Sequence, residues 1–509
     1  MSGKNIIIVG AGPGGLTAGM ILAKRGFKVT ILEKEKVVGG RNAALKKDGY
    51  TFDVGPTFLM MSYILKEMFL EAGKKVEDYI QVKRIDPMYR LKFTDKEVMI
   101  SSGFEEMKAE LLKCFPGSED SLLRFMKTEK IRYKNMFPCL QTDYTSPWHL
   151  FRSVLLKAIP YLQLHKTFWQ NLSSYFKEDD LKICFTFQAK YIGMSPWECP
   201  AAFTMIPYVE HEYGIYHVYG GLNQISAGMA KAFKELGGEL LLETPVEGLI
   251  TEKKKVKGVK LKDGQELFAD DVIVNADFAY AMSELAKNAG LKKYSREKLK
   301  KKRYSCSTFM IYLGVKKKYD LPHHNIIFAK DYKNNVKEIF EKGAPSEDMS
   351  IYVQNASATD SSLAPEGKST IYILVPCPNK AATGTDWAKI KESYKNRVLD
   401  ILEKRTELRD LRQNIETEIV YTPDDWENKH NVFYGATFNL AHNLTQMLYF
   451  RPRNKFEELE NCYLVGGGTH PGSGLPTIYE SARITSNLLC KKYGVPFVKP
   501  TTLNEKESF

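Results

Sequence analysis

The residues whose types and spacing point most clearly to chemistry lie near the start of the chain. Gly10, Gly12 and Gly15 have the spacing GxGxxG, and an acidic residue, Glu33, ends the second apolar run after them. Glycines at this spacing allow a tight turn whose bare backbone approaches a pyrophosphate, and the later carboxylate accepts hydrogen bonds from a ribose hydroxyl pair. These four residues therefore predict the binding of a dinucleotide.

The segments around this loop are the elements that must position it. "NIIIVG" predicts a short buried strand, "LTAGMILAKRG" an apolar-periodic helix that stops at a glycine, and "KVTILEK" a second strand that ends at Glu33. The helix N-terminus adds partial positive charge next to the loop. We interpret the glycines as a dinucleotide site within a βαβ unit, because packing alone would leave Glu33 without a role.

The residues after Glu33 separate the two common dinucleotides. A Gly39-Gly40-Arg41 turn follows at once, and a short strand then ends in "DVGPT" at residues 53–57. An NAD-binding unit would normally continue into another helix crossover, whereas two glycine-rich turns in succession favour one extended ligand held along its length. Arg41 is predicted to contact a phosphate or ribose, with an ordinary surface arginine as the alternative.

A second glycine loop, "GGGTHPGSGLP" at residues 466–476, lies near the end of the chain. It follows the strand-like "NCYLV" and precedes a predicted helix, so its glycines lie at a helix N-terminus, which favours negative charge. A reduced flavin carries its charge on the pyrimidine end of the ring. The late loop is therefore predicted to hold that end of the same cofactor whose pyrophosphate the first loop binds.

These motifs resemble those of the bacterial-type phytoene and diapocarotenoid desaturases, which are FAD-dependent oxidoreductases of the amine-oxidase-like superfamily. The resemblance rests on "VGAGPGGLTAG", "GGR", "FDVGPTFLM", "VIVNAD", "SCSTFMIYLGV" and above all "YLVGGGTHPGSGLP". It implies an α/β fold, in which a Rossmann-type FAD-binding domain is assembled from discontinuous segments and carries an inserted α+β substrate domain. The implied FAD segments are residues 1–100, 216–290 and 441–509, with a helical substrate and membrane-contact region at 101–215 and a substrate domain at 291–440.

The same resemblance implies which residues contact FAD. They are Gly10, Gly12, Gly14, Gly15, Glu33, Gly40, Arg41, Gly55, Pro56, Thr57, Val246, Gly468, Thr469, Gly474 and Leu475. Val246 follows Pro245 at a point where a backbone contact to an adenine ring is expected, and its alternative is a core valine of a strand.

The implied reaction is desaturation of a linear C30 or C40 carotenoid precursor, such as 4,4'-diapophytoene or phytoene. A hydride leaves an allylic carbon for the flavin, and a proton leaves the neighbouring carbon. His470, in the late loop, is the candidate catalytic residue, with a loop-stabilising histidine as the alternative. Asp277 is a second candidate base, with a strand-end acid that satisfies backbone donors as its alternative.

Other functions share these motifs. A late-pathway carotenoid oxidase or ketolase, or an isomerase, would have the same loops. A binder of prenylated proteins that holds no flavin would have no reason to keep both glycine loops and Glu33. Quinone or oxygen is the expected electron acceptor.

Composition limits the partners. The 509 residues are 43% hydrophobic, enough for a large core and more than one domain. The net charge of +12 favours anionic partners, but no nucleic-acid recognition motif accompanies it, so nucleic acid is not expected. The eight cysteines show no CxxC pair and no metal spacing, which indicates reduced thiols and no metal site.

The expected location is cytoplasmic and peripheral to a membrane. A folded element begins within the first residues, which leaves no room for a signal peptide, and no run approaches the about 18 apolar residues of a membrane span. Residues 148–170 mix aromatic, aliphatic and basic side chains, as interfacial segments do. The alternative is a helical hairpin packed on the substrate domain.

Overall fold

The computed structural model describes residues 3–497, 499–500 and 509. Its centre is a five-stranded sheet, which we call the nucleotide sheet, in which all neighbouring strands are parallel. From one edge to the other, its strands are Glu239–Leu241, Lys28–Leu32, Asn5–Val9, Asp271–Val274 and Cys462–Leu464.

The strand Asn5–Val9 is apolar on both faces because both faces are covered. Ile6 and Ile8 pack among three helices, Pro13–Lys24, Asn223–Glu235 and Leu475–Tyr493. Ile7 and Val9 instead belong to a core shared with a small antiparallel sheet on the other side. Continuous burial of this kind is expected of a central parallel strand. The strands of the small sheet are Val246–Glu252, Lys255–Leu261 and Glu266–Phe268.

Three separated parts of the chain build the nucleotide sheet, which confirms the predicted discontinuous α/β arrangement. "VIVNAD" returns to the sheet beside the first strand, and "NCYLV" adds the last strand. The helix Leu475–Tyr493 follows the late glycine loop, as the sequence indicated.

A second sheet of seven strands, which we call the substrate sheet, is antiparallel except between His324–Ile327 and Tyr89–Lys92. Two of its strands come from the N-terminal 100 residues, so the boundary predicted at residue 100 lies too late. These two strands, Tyr89–Lys92 and Glu97–Ile100, form a local hairpin. The sheet to which the hairpin belongs is decided by its pairing with the distant strand His324–Ile327. The other proposed domain limits stay predictions. The strands are Ile415–Tyr421, Ser307–Val315, Ser369–Cys377, Ile351–Gln354, His324–Ile327, Tyr89–Lys92 and Glu97–Ile100.

Helices dominate residues 101–215 and pack against the substrate sheet, and the extent of this region as a unit stays a prediction. Two small sheets complete the strands: Ala44–Lys47 with Tyr50–Asp53, and Leu59–Met60 with Ile215–Val218 and Val82–Ile85. The remaining α-helices are Ser62–Glu71, Phe104–Cys114, Glu119–Leu140, Ser153–Leu162, Phe168–Leu172, Asp179–Cys184, Met205–Tyr213, Phe278–Tyr280, Arg296–Lys300, Tyr332–Lys337, Trp387–Arg405 and Pro423–His430.

Candidate active site

A cavity of about 1470 Å³ lies between the nucleotide sheet and the substrate sheet. Both glycine loops form part of its wall, together with the turns at residues 39–45 and 54–58 and one face of the substrate sheet. The structure thus brings together, around a single space, motifs that lie more than 400 residues apart in the sequence.

The first glycine loop is built against the end of a neighbouring strand. Gly10 has φ +100°, and a Cβ there would lie 2.5 Å from the backbone oxygen of Asn275. A Cβ on Gly15 would lie 2.2 Å from the Gly10 oxygen, so this glycine serves close packing. The side-chain Nδ2 of Asn275 donates to the Gly10 oxygen at 2.9 Å. Asn275 therefore fixes the loop, a role that the sequence analysis missed.

Glu33 lies at the end of its strand, beside the same loop. Its Oε2 accepts from the backbone N–H of Ala11 at 2.7 Å, and its Oε1 accepts from that of Glu35 at 3.0 Å. Burial raises the pKa of the carboxyl group, against the opposing effect of these two hydrogen bonds. The carboxylate is therefore held in one orientation at the cavity wall, where the sequence had placed a ribose contact.

Arg41 points into the protein and not to the surface. Its Nη1 donates to the backbone oxygen of Thr437 at 2.6 Å. Asn439, with its amide turned to satisfy both neighbours, accepts from Arg41 Nη2 at 3.2 Å and donates to Asp277 Oδ2 at 2.6 Å. Burial lowers the pKa of Arg41, while nearby Asp277 opposes that shift. Three wall residues from three parts of the chain thus form one polar chain.

Asp277 follows the strand Asp271–Val274 and begins a helical turn. Its Oδ1 accepts from the backbone N–H of Tyr280 at 3.1 Å. The alternative interpretation, a strand-end acid that satisfies backbone donors, is confirmed by this contact. Burial raises the pKa of Asp277, and Arg41 lowers it.

The "DVGPT" turn is held by tyrosines of the substrate sheet. Tyr312 donates to the Val54 oxygen at 2.6 Å, and Tyr372 donates to the Gly55 oxygen at 2.7 Å. The hydroxyl groups of Thr57 and Tyr352 lie 2.7 Å apart. Gly55, Pro56 and Thr57 all line the cavity, and their contacts with FAD stay a prediction.

The late loop contributes only part of its predicted residues to the cavity wall. Gly474 and Leu475 line the cavity, whereas Gly468 and Thr469 are not among its lining residues. A Cβ on Gly468 would lie 2.5 Å from that of Phe278, and Thr469 is buried and donates through Oγ1 to the Pro452 oxygen at 2.5 Å. These two residues therefore pack on the side of the loop that faces away from the cavity.

The side chain of His470, a residue of the same loop, also points away from the cavity and does not line it. It is 1% exposed, and its ring meets the ring of Tyr144 edge-on with centroids 4.8 Å apart. Burial, reinforced by the charge of Arg451, lowers the pKa of His470 to about 3. The geometry supports the loop-stabilising interpretation, and a catalytic role for His470 stays a prediction.

Arg451 supports the late loop, and the sequence analysis did not identify this role. It is fully buried, and its guanidinium donates to the backbone oxygens of Gly467 at 2.6 Å and Thr469 at 3.1 Å, as well as to those of Leu440 and Gln446. Burial lowers its pKa to about 9. The short string "FRPRNKF" gives no signal of this role, because each contact is to backbone.

One part of the remaining cavity wall is apolar and aromatic. The ring of Phe58 lies 5.5 Å from the rings of both Tyr191 and His324. This wall can exclude water from an elongated hydrocarbon. Its apolar and aromatic members include Phe58, Met60, Phe187, Tyr191, Met310, Ile326, Ile351, Tyr352, Tyr372, Leu374, Pro376 and Phe438.

The glycine-lined part of the cavity fits a dinucleotide. A Cβ on Gly40 would meet nothing nearer than the Cα of Gly12, at 3.9 Å, so two bare backbone edges face the same space. Gly12 and Gly474 are the N-caps of the helices Pro13–Lys24 and Leu475–Tyr493, and both line the cavity. Two helix N-termini therefore direct partial positive charge at one ligand. Val246 lines the cavity as well, beside Thr244 and Pro245.

Comparison with known proteins agrees with this geometry. Residues 13–490 match the family described as "Flavin containing amine oxidoreductase". The chain is 53% identical to a "4,4'-diapophytoene desaturase (4,4'-diapolycopene-forming)" of Methylomonas sp, over 97% of this chain and 96% of that protein. It is 36% identical to an "All-trans-zeta-carotene desaturase" of Myxococcus xanthus, over 98% and 96% of the two chains.

Among solved structures, an oxidoreductase from Methanosarcina mazei superposes with a TM-score of 0.63 at 16% identity, over 94% of this chain and 99% of that one. At this identity the likeness concerns the fold alone. Together with the family match, it confirms an α/β flavoprotein fold. The chain belongs to the flavin-containing amine oxidoreductase family and, within it, to the bacterial carotenoid desaturases.

Proposed function

We propose that this protein is an FAD-dependent desaturase that introduces conjugated double bonds into a linear carotenoid precursor of the 4,4'-diapophytoene or phytoene type. The observation that carries the proposal is the single cavity whose one part is lined by glycine backbone and whose other part is lined by aromatic and aliphatic side chains. A dinucleotide and a long apolar chain would meet in this space without water between them.

The cofactor proposed is FAD, which accepts a hydride when it is bound. The residues proposed to hold it are the predicted ones that line the cavity. They are Gly10, Gly12, Gly14, Glu33, Gly40, Arg41, Gly55, Pro56, Thr57, Val246, Gly474 and Leu475. Glu33 would accept hydrogen bonds from the ribose, and the late loop would face the pyrimidine end of the flavin ring.

The aromatic wall is proposed to hold the hydrocarbon chain in extended form against the substrate sheet. Positioning of the reacting carbon beside the cofactor can supply a large part of the rate enhancement. The C30 chain is the first substrate to test, because the relative at 53% identity carries a C30 substrate in its name.

The membrane is proposed as the source of the substrate, because the helix Ser153–Leu162 and the turn before it carry an exposed apolar surface. One face of the helix packs against the helix Glu119–Leu140 and buries Leu155 and Ala158. The other face of the helix exposes Leu156 and Ile159, and the turn before the helix exposes Trp148 at 78% and Phe151 at 68%. Aromatic side chains in this setting suit a membrane interface. Within the described part of the chain, no helix combines the length and apolar character needed to cross a bilayer.

The deciding experiment is an anaerobic reaction of the purified, FAD-loaded protein on liposomes that contain either 4,4'-diapophytoene or phytoene, with a quinone as the proposed electron acceptor. Chromatography of a product that absorbs at longer wavelength would support the proposal and assign the chain length. A protein that holds flavin but converts neither substrate would contradict it. Already conjugated carotenoids would then test the oxidase, ketolase and isomerase alternatives, and oxygen would replace quinone in a parallel reaction.

A further inference from the structure

A lysine lies in the apolar part of the cavity, where a charge is unexpected. Lys190 belongs to the short helix Phe187–Ile192, and its half-buried side chain lines the cavity with Phe187 and Tyr191. Its Nζ lies 4.8 Å from the centroid of the Tyr332 ring. Within the described part of the chain, no aspartate or glutamate forms an ion pair with it. A purely structural lysine would normally have such a partner.

Phe438 connects the segment after Lys190 to the late glycine loop. Gly193 lies three residues after Lys190 in the sequence. A Cβ on Gly193 would lie 2.6 Å from the ring of Phe438. The backbone oxygen of Phe438 accepts from Ser473 Oγ at 2.5 Å. Phe438, Ser473 and Lys190 all line the cavity. Lys190 and the late loop thus border the same cavity, in which the reacting end of the cofactor is proposed to bind.

The surroundings of Lys190 make its neutral amine easier to form than that of an exposed lysine. Burial lowers its pKa to about 8. The titratable groups that face it are Cys306, whose pKa burial raises to about 12, and Tyr332 and Tyr191, whose pKa values burial raises further. All three stay uncharged at neutral pH. A hydrocarbon that displaces water from the cavity would desolvate the amine further and lower the pKa again.

We propose that Lys190 is the catalytic base that removes the proton during desaturation, an inference that rests on the proposed function. Bound FAD would take up the electron pair of the allylic C–H bond as hydride and would thereby be reduced. The C–H bond on the neighbouring carbon breaks, its electron pair becomes the new C=C bond, and its proton bonds to the lone pair of Lys190 Nζ. The resulting ammonium returns the proton to water after the product leaves.

Two histidines near the cavity are less suitable for this step. His470 does not line the cavity. His324 does not line the cavity either: its Nδ1 lies 2.7 Å from the hydroxyl oxygen of Tyr352, which does, and burial lowers the pKa of His324 to about 3. A base of that strength would hold a proton far less readily than the amine of Lys190.

The test follows anaerobic flavin bleaching in full-length, FAD-loaded protein on liposomes that carry 4,4'-diapophytoene. Lys190→Met and Lys190→Arg should each slow bleaching about 10²-fold or more, since general-base catalysis contributes on this scale and arginine stays protonated. Lys190→Ala should regain rate with added methylamine or ethylamine, which can occupy the space left by the side chain and accept the proton. Lys330→Met, which removes an exposed lysine near Tyr332, is the matched control and should bleach at the wild-type rate.

A base role also predicts a pH profile. The wild-type bleaching rate should rise with pH along a limb at or below about pH 8, and Lys190→Met should lack this limb. The assignment is overturned if Lys190→Met stays within about threefold of wild type, if Lys190→Arg restores the rate, or if amines give no rescue.

A second measurement separates this inference from the proposed function. If wild-type protein desaturates nothing, the proposed function fails, and proton release then tests separately whether an apolar ligand deprotonates Lys190. Binding of squalene to weakly buffered protein at about pH 8 should release protons, at most one per site, and Lys190→Met should release none. Equal release by the two proteins, or none from wild type, would overturn the assignment.

Discussion

Nη2 of Arg451 donates to the backbone oxygen of Gly467 at 2.6 Å, so a fully buried cation supports the late glycine loop from behind. Gly467 itself lines the cavity. The loop presents its backbone to the cavity on one side and holds a guanidinium on the other, which adds positive potential near the proposed pyrimidine end of the flavin.

Arg451→Met should therefore destabilise the protein and weaken flavin retention. Four backbone oxygens would lose their donor, at a cost of about 3 kcal/mol or more in the free energy of unfolding. The reduction potential of any retained flavin should fall, because a nearby positive charge is lost. Thermal unfolding and a dye-linked potential titration measure both effects. Arg409→Met, at an exposed arginine, is the control, and an equal effect of both variants would contradict the assignment.

Asn275→Ala should weaken FAD binding by about tenfold, because its side chain donates to Gly10 and fixes the first loop. Asn275→Asp should be worse, since a carboxylate would face both the Gly10 oxygen and a bound pyrophosphate. Reconstitution of the apoprotein with FAD, followed by fluorescence, gives the dissociation constants. Asn396→Ala, at an exposed asparagine, should bind as tightly as wild type. Unchanged affinity in Asn275→Ala would show that the loop holds its shape alone.

Acid should destabilise the protein in part through His470. Its pKa lies near 3 in the folded state, below the usual 6.5, so the unfolded chain binds more protons between these values. Stability contributed by the neutral ring is complete above pH 6.5 and is lost as the pH falls toward 3. The loss approaches about 1.4 kcal/mol per pH unit.

His470→Asn should flatten this acid limb. The thermal midpoint of the variant should fall less than that of wild type between pH 7 and about pH 5, whatever its absolute stability. The difference in slope is the test, so general destabilisation by the substitution does not confuse it. Parallel curves would mean that His470 is not buried as a neutral ring.

Trp148→Ser and Phe151→Ser should release the protein from lipid. Both side chains are largely exposed, and transfer of each out of water contributes about 1.5–3 kcal/mol, so each change should weaken liposome binding tenfold or more. Sedimentation with anionic vesicles measures the partition. Phe268→Ser is the matched control, because Phe268 is 64% exposed on the small sheet at another site. Equal loss in all three variants would argue against a specific membrane surface.

Much of the nucleotide-binding half was predictable because its signals are local. A buried strand, a GxGxxG turn and a helix follow one another within 24 residues, and the pattern admits few other folds. Glu33, Gly55 and Gly474 were placed at the cavity for the same reason. Each of these residues lies at the end of a strand or turn. The path of the chain at that point determines that the residue faces the cavity.

The rest was decided by contacts between distant segments. Arg451 and Asn275 hold the two loops through backbone oxygens, which any sequence supplies, so no residue pattern marks the partner. The buried position of His470 behind its loop, and that of Lys190 in the cavity wall, depend on which strands and helices pack around them. The sequence by itself determined a flavin-type dinucleotide fold and the loops that are proposed to bind the cofactor. Only the tertiary structure decided which charged groups face the reacting space, because burial and distance are properties of the packed chain.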